Sequence, residues 1–286
     1  MRRDPDSMSN FVKILVFLPF LLGMYAFSEH PYQKWCEQVF RADSGFVSSA
    51  REKELLLLIC RHDTAVFQSP YREFLLDTMS APDSVVYDSS SKYYRGREIN
   101  GERQWVLCLV LNAVTAELPF VIEFTERNGV FTLHSYGRYY HGNYGCCWGS
   151  GWEEFAKLGP YFYVETCGTG SGFCSGTANF LTFPLSPNED NEDNHPSIPL
   201  LWWQSYLLQE VLQGQLSIRG DTIVADYTYK VDTLIENAAE EMIPHPLYDT
   251  RFTALFRFDP EQRKLTLLNR EAVLREERLK YFFEDY

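Results

Sequence analysis

The chain has 286 residues, 45% of them hydrophobic, with 26 Lys and Arg against 39 Asp and Glu and a formal net charge of −13. That apolar content is enough to bury a core, which excludes wholesale disorder. The acidic balance argues against a nucleic-acid partner, because phosphates are held mainly by Lys and Arg, and equally against electrostatic docking on anionic lipid.

The N-terminus reads as a secretory leader. Residues Met1–Lys13 carry Arg2, Arg3 and Lys13, the fourteen residues Ile14–Phe27 are uncharged, and Ala26-Phe27-Ser28 places small residues where a signal peptidase reads. Segment 1–28 is therefore expected to be a signal peptide. The run is shorter than the ~20 apolar residues that span a bilayer, so no integral span is expected after cleavage, and an uncleaved leader would act as an anchor. The expected location is periplasmic or extracellular. No N-x-[ST] sequon occurs, which favours a bacterial envelope.

All seven cysteines lie beyond the leader, and an oxidising compartment makes disulfides their default. The number is odd, so at least one thiol is free. Cys108, inside the apolar run Trp105–Leu111, is the expected one. Cys36–Cys60 and Cys167–Cys174 are the expected bridges, the latter across a Gly-rich hairpin, which leaves Cys146 and Cys147 without an obvious arrangement.

In chain order, a helix is expected at 32–41. Strands are expected at 54–60 and 64–69, 103–114, 119–125 and 130–135 around Asn128-Gly129, and 159–167 and 173–183 around a run of glycines. Residues 151–158 read as a short helix. Leu200, Trp203, Leu207 and Val211 recur at helical spacing before Gly214, so a helix is expected at 200–213. Strands at 215–219 and 222–230 flank Gly220-Asp221, strands at 251–258 and 264–269 flank Asp259-Pro260, and a C-terminal helix is expected at 271–283. The class is α+β: a predominantly antiparallel β-sheet of successive hairpins with a few helices. The division is 1–28 leader, 29–185 β-rich region, 186–199 acidic loop or linker, and 200–286 helix plus hairpins packed on the same domain.

Chemistry is densest between Tyr136 and Cys174. Tyr136, Tyr139, Tyr140, His141, Trp148 and Trp152 form an aromatic, Gly-rich stretch that suits a ligand surface, since flat rings stack on sugar C–H faces. The competing reading is a set of rings covering a thin core. The cysteine spacings C-C and C-x₆-C are not those of a zinc site, and no metal or cofactor is expected. Gly172-Phe173-Cys174-Ser175-Gly176 resembles the nucleophile segment of cell-wall cysteine endopeptidases, and Cys147-Trp148 that of papain-like enzymes. The first lacks the Asp before its Cys and the second lacks its upstream Gln. No catalytic residue is assigned. The expectation is a non-enzymatic binding or surface protein whose partner is a cell-surface glycan or protein; the alternative is a cell-wall-directed cysteine hydrolase using Cys174 or Cys147.

Overall fold

The computed structural model describes residues 31–42, 44–62, 91–113, 116–138, 152–185, 195–205, 208–236 and 242–286. The α+β class is corrected. The described chain is 63% strand and 16% helix, mostly antiparallel β with two sheets and few helices.

The first sheet is a meander of β1 (Lys92–Ile99), β2 (Glu102–Ala113), β3 (Ala116–Arg127) and β4 (Val130–Arg138) in spatial order β1-β2-β3-β4. Two of its turns are Asn-Gly pairs, Asn100-Gly101 and Asn128-Gly129. All four residues have positive φ, from 52° to 82°. Such a two-residue turn matches the right-handed twist of the strands it joins, and Asn and Gly tolerate that backbone best.

Helices α1 (Gln33–Phe40) and α2 (Ser49–His62) cover one face of this sheet. Trp35, Phe40, Leu55, Leu56 and Ile59 pack there on Leu107, Leu109, Phe120, Ile122, Phe124 and Phe131. The Trp35 Nε1–H donates to the Arg51 carbonyl at 2.8 Å, tying the helices together. Gln33 donates to the Gly129 carbonyl and accepts from the Phe131 amide, each at 2.8 Å, so α1 grips the β3–β4 turn.

The strand expected at 54–60 is the second half of α2. A short apolar run has the same composition in a buried strand and a buried helix. Here the burial of Leu55, Leu56 and Ile59, with Leu57 and Leu58 only half-buried, follows a helical face. Its expected partner at 64–69 lies outside the described residues.

The second sheet is an eight-stranded meander in unbroken spatial order, from β5 (Trp152–Leu158), β6 (Tyr161–Gly170), β7 (Phe173–Phe180) and β8 (Ser197–Ser205) to β9 (Leu208–Arg219), β10 (Thr222–Glu236), β11 (Met242–Asp259) and β12 (Lys264–Leu267). It runs across the acidic segment, because β7 pairs with β8. β6 and β11 are five strands apart, roughly 24 Å in a flat sheet. Yet the Tyr161 and Phe258 rings lie 5.2 Å apart and those of Phe180 and Phe258 5.4 Å. The sheet is therefore strongly curled around its own core.

Two helix expectations are overturned here. Residues 151–158 contain β5, and 200–213 form most of the β8–β9 hairpin. The helical spacing of Leu200, Trp203 and Val211 arises because both faces of this hairpin meet apolar groups; Leu207 lies outside the described residues. Trp202 stacks on Phe173 with ring centroids 5.8 Å apart, while Trp203 and Val211 line a cleft with Leu201. A strand that is apolar on both faces loses its period of two.

The expected C-terminal helix is broken into α3 (Arg270–Val273), a 3₁₀ turn (Glu277–Leu279) and α4 (Lys280–Phe283). Val273, Leu279 and Phe283 are buried in the core of the second sheet. Asn269 pins the entry to this tail, accepting from the Leu255 amide at 2.9 Å and donating to the Thr253 carbonyl at 2.8 Å.

The two sheets pack face to face. Val106, Cys108 and Val121 of the first meet Phe155, Phe162 and Val164 of the second, with Leu181 and Leu185 closing the layer. Lys92 Nζ reaches Glu154 at 2.8 Å, and Lys157 Nζ donates to the Arg95 carbonyl at 2.5 Å, so β5 is stitched to β1.

Candidate functional site

Glu123 stands on β3 among apolar neighbours and is 4% exposed. Its side chain shares the face of Val121, the one turned toward the second sheet. A buried carboxylate needs compensating donors, and two strands supply them. Gln104 of β2 donates from Nε2 to Oε1 at 2.7 Å, and Ser135 of β4 donates from Oγ to Oε2 at 2.6 Å. The Ser135 oxygen in turn accepts the Leu185 amide at 3.0 Å. The carboxylate is thus oriented by a chain of bonds drawn from three separate segments.

A β-bulge shapes its surroundings. Glu123 pairs with Ser135 and Phe124 with Leu133, so His134 is the extra residue of β4. A bulge of this kind brings two successive side chains to the same opposing residue. The His134 imidazole is about half exposed, with Nε2 4.0 Å from Glu123 Oε2. These groups open into a cavity of about 360 Å³ at the β1–β2 turn, lined also by Arg97, Asn100, Thr125 and Arg127. Arg97 lies over the Tyr161 ring at 5.5 Å, and Arg127 Nη1 is 3.6 Å from Glu102. The cavity therefore offers amide, imidazole and guanidinium donors around a fixed anionic acceptor. Two of the roughly four lone-pair sites of the carboxylate are filled by Gln104 and Ser135, which leaves acceptor capacity for a ligand.

A second cleft, of about 400 Å³, is apolar. Phe173, Cys174, Leu201, Trp203 and Val211 line it at the β6–β7 turn. The register sets Cys174 opposite Trp203, Trp203 opposite Val211, and Cys167 and Leu201 on either side of Gly176.

The sequence-derived candidates fall in different places. Tyr136 is 7% exposed, with its ring 5.7 Å from that of Phe120 in the helix-covered core. It is a packing residue, and its expected role at a ligand surface is corrected. Tyr139, Tyr140, His141 and Trp148 lie outside the described residues. Trp152 opens β5 with its backbone paired to Thr166.

Among the cysteines, Cys36 is a free, buried thiol, so the expected Cys36–Cys60 bridge is not formed. Cys36 sits at 0% exposure in the apolar layer beneath α1, and burial pushes its thiol well above the usual range, as it does for the free thiol of Cys108. Burial of this kind disfavours the thiolate, which is the reactive form. Cys167 and Cys174 are disulfide-bonded, yet no disulfide joins two described residues. The register explains why they do not bond each other. Cys167 pairs with Gly176 and Cys174 with Thr169, a diagonal offset of two residues. Such diagonal neighbours are ~7–8 Å apart, beyond the ~4.4–6.8 Å that a disulfide spans. A disulfide-bonded Cys174 also has no thiolate to offer as a nucleophile.

Among the described residues no group of three or more His, Cys, Asp or Glu is placed to hold a metal ion, and no helix is long and apolar enough to cross a membrane. The Glu123 cavity was missed in the sequence. Its signal is a lone acid within Val121–Phe124, on the alternation that should face the core.

No protein-family model matches the chain, and no curated protein is detectably related to it. A solved structure, a mannose phosphorylase from Leishmania mexicana in complex with phosphate ion, is similar to 64% of this chain at 12% identity with a TM-score of 0.23. The matched region spans about half of that protein, 52%. A likeness that distant carries no argument about this chain.

Proposed function

We propose that the chain is an exported, disulfide-bearing protein of the bacterial envelope that binds a hydroxyl-rich ligand, such as a cell-surface glycan, without catalysing a reaction. The observation that carries the reading is the Glu123 cavity. A carboxylate oriented before the ligand arrives, with lone pairs to spare and donors beside it, suits pairs of sugar hydroxyls, each of which both donates and accepts. Preorganisation of this kind lowers the ordering cost of binding.

A panel of bacterial and host glycans, with hits taken to calorimetry, tests it. Glu123→Gln and Arg127→Ala should each weaken the best hit by about tenfold, near the ~1.4 kcal/mol of one lost polar contact. A hit that neither substitution affects would place the ligand elsewhere, and a panel without hits would sink the glycan reading.

The leader layout and the oxidised state of Cys167 and Cys174 support export, since disulfides are rare in reducing compartments. N-terminal sequencing of protein from the envelope fraction should begin near Glu29. Intact Met1 in the cytosol would remove the compartment from the proposal.

A further inference from the structure

We infer that the group the Glu123 cavity takes is a primary ammonium, so that the ligand is an amino sugar with a free amine rather than its hydroxyl or N-acetyl counterpart. The inference rests on the glycan reading and narrows it.

It starts from a charge without a counterpart. Glu123 is 4% exposed, and charges buried that far from water are paired. Its hydrogen bonds come from two neutral groups, the Gln104 amide at 2.7 Å and the Ser135 hydroxyl at 2.6 Å. They fix its orientation and bring no positive charge. Among the described residues, the basic side chain that comes as close as 4.0 Å is the His134 imidazole, itself half exposed, and no Lys or Arg does so. The two guanidiniums at the cavity are engaged elsewhere: Arg127 with Glu102 at 3.6 Å, and Arg97 over the Tyr161 ring at 5.5 Å. Both arginines are exposed, so solvent and salt screen them, while the field of a buried carboxylate is screened much less. The deepest unmet demand of the cavity is therefore for a cation.

Which cation follows from the groups around it. Calcium and magnesium take six or more oxygen ligands, and no group of three or more His, Cys, Asp or Glu stands together among the described residues. An ammonium carries three donors. Two acceptor sites are open on the carboxylate, and the Thr125 hydroxyl, two residues along β3 and on the same face, lines the same cavity. A sugar hydroxyl in that place would donate one bond and leave the charge as it was. An N-acetyl group would bring one N–H, no charge and more bulk. The cavity, about 360 Å³, lies near the lower end of the ~300–1,000 Å³ of small-molecule sites, which suits a single ring with its amine turned inward.

Calorimetry on the full chain tests this with three probes: the glucosamine tetrasaccharide, its fully N-acetylated form and the matching glucose tetrasaccharide. The measurement is made at about pH 7, below the ~7.7–8.0 of an ordinary α-amino group, so that the amine is charged. The amine form should bind about ten- to a hundredfold more tightly than either neutral form, the range of a charge-assisted hydrogen bond. Glu123→Gln keeps an acceptor oxygen but removes the charge, and should bring the three affinities within about threefold of one another. Gln104→Lys keeps the carboxylate and places an internal ammonium beside it; it should erase the preference as well, with circular dichroism confirming that each variant is folded. Equal affinity of the parent for all three sugars would overturn the ammonium and leave the glycan reading standing. So would a failure to bind any of the three while another glycan of the panel binds; a panel without hits removes both. A preference that survives in both variants would assign it to the net charge of −13 and overturn the inference. Equal binding of an end-blocked lysine peptide would overturn it too, by moving the ammonium from a sugar to a protein partner.

Discussion

Replacing Phe283 with Ala should destabilise the chain by about 3–5 kcal/mol, the usual range for emptying a phenylalanine site in a core. Phe283 is 0% exposed, and its ring lies 5.3 Å from that of Tyr227, 5.8 Å from Phe252 and 6.4 Å from Phe256, on β10 and β11. The side chain is where the C-terminal tail enters the curled sheet. A short helix such as α4 has little stability of its own and depends on that packing. Around the same tail, Arg270 Nη2 donates to the Glu284 carbonyl at 2.6 Å, and Tyr286 donates to the Ser197 carbonyl of β8. Burial pushes the Tyr286 hydroxyl up to about 12, so it remains a donor at any physiological pH. The loss at Phe283 should therefore loosen these contacts as well. Thermal unfolding of Phe283→Ala should show the midpoint falling by roughly 10 °C. Lys280→Ala, one turn away on the surface, should leave the midpoint close to that of the parent. Equal losses for the two would mean that the tail is not part of the core.

Turns were the most legible part of the sequence, and the reason is local. Asn128-Gly129 must take positive φ at both residues to join β3 and β4, and few other pairs do so cheaply. Gly220, at φ 65°, marks the β9–β10 turn in the same way. Strand against helix was legible only where one face of an element meets water. β2 and the β8–β9 hairpin bury groups on both faces, and α2 carries four leucines in a row, so periodicity there reports packing rather than conformation. The site was harder still. Nothing near Glu123 in sequence identifies Gln104, Ser135 and Leu185, which stand 19, 12 and 62 residues away. They meet it through strand register, a bulge and the loop after β7. The cysteines teach the same lesson. A Gly-rich turn between Cys167 and Cys174 looks right for a bridge, and a register offset of two residues rules it out.

Glu123→Ala should cost about 2–5 kcal/mol even though Ala is itself apolar and fits a buried strand. The substitution strands two donors. Gln104 Nε2, part-buried at the cavity wall, and the buried Ser135 hydroxyl both point at the carboxylate, and a fully buried donor left unmet costs about 1–3 kcal/mol, a part-buried one less. Glu123→Gln keeps the shape and one acceptor oxygen. Its amide must place an N–H toward either Gln104 or Ser135, and one bond is lost, so the expected cost is smaller, about 1–2 kcal/mol. Ser135→Ala removes the bond to Glu123 and also the acceptor of the Leu185 amide, so it should fall between the two. Because these residues share one chain of bonds, their effects should not add. The double variant Glu123→Ala/Ser135→Ala should lose less than the two single losses combined, since the second change removes a donor that the first had orphaned. Urea denaturation of the three single variants and the double gives the comparison. Strict additivity would mean that the bonds are independent, and a Glu123→Ala variant within about 0.5 kcal/mol of the parent would mean that water satisfies those donors already. In that case the carboxylate would not be held in place before a ligand arrives, and the cavity around it would lose the feature that makes it a binding site.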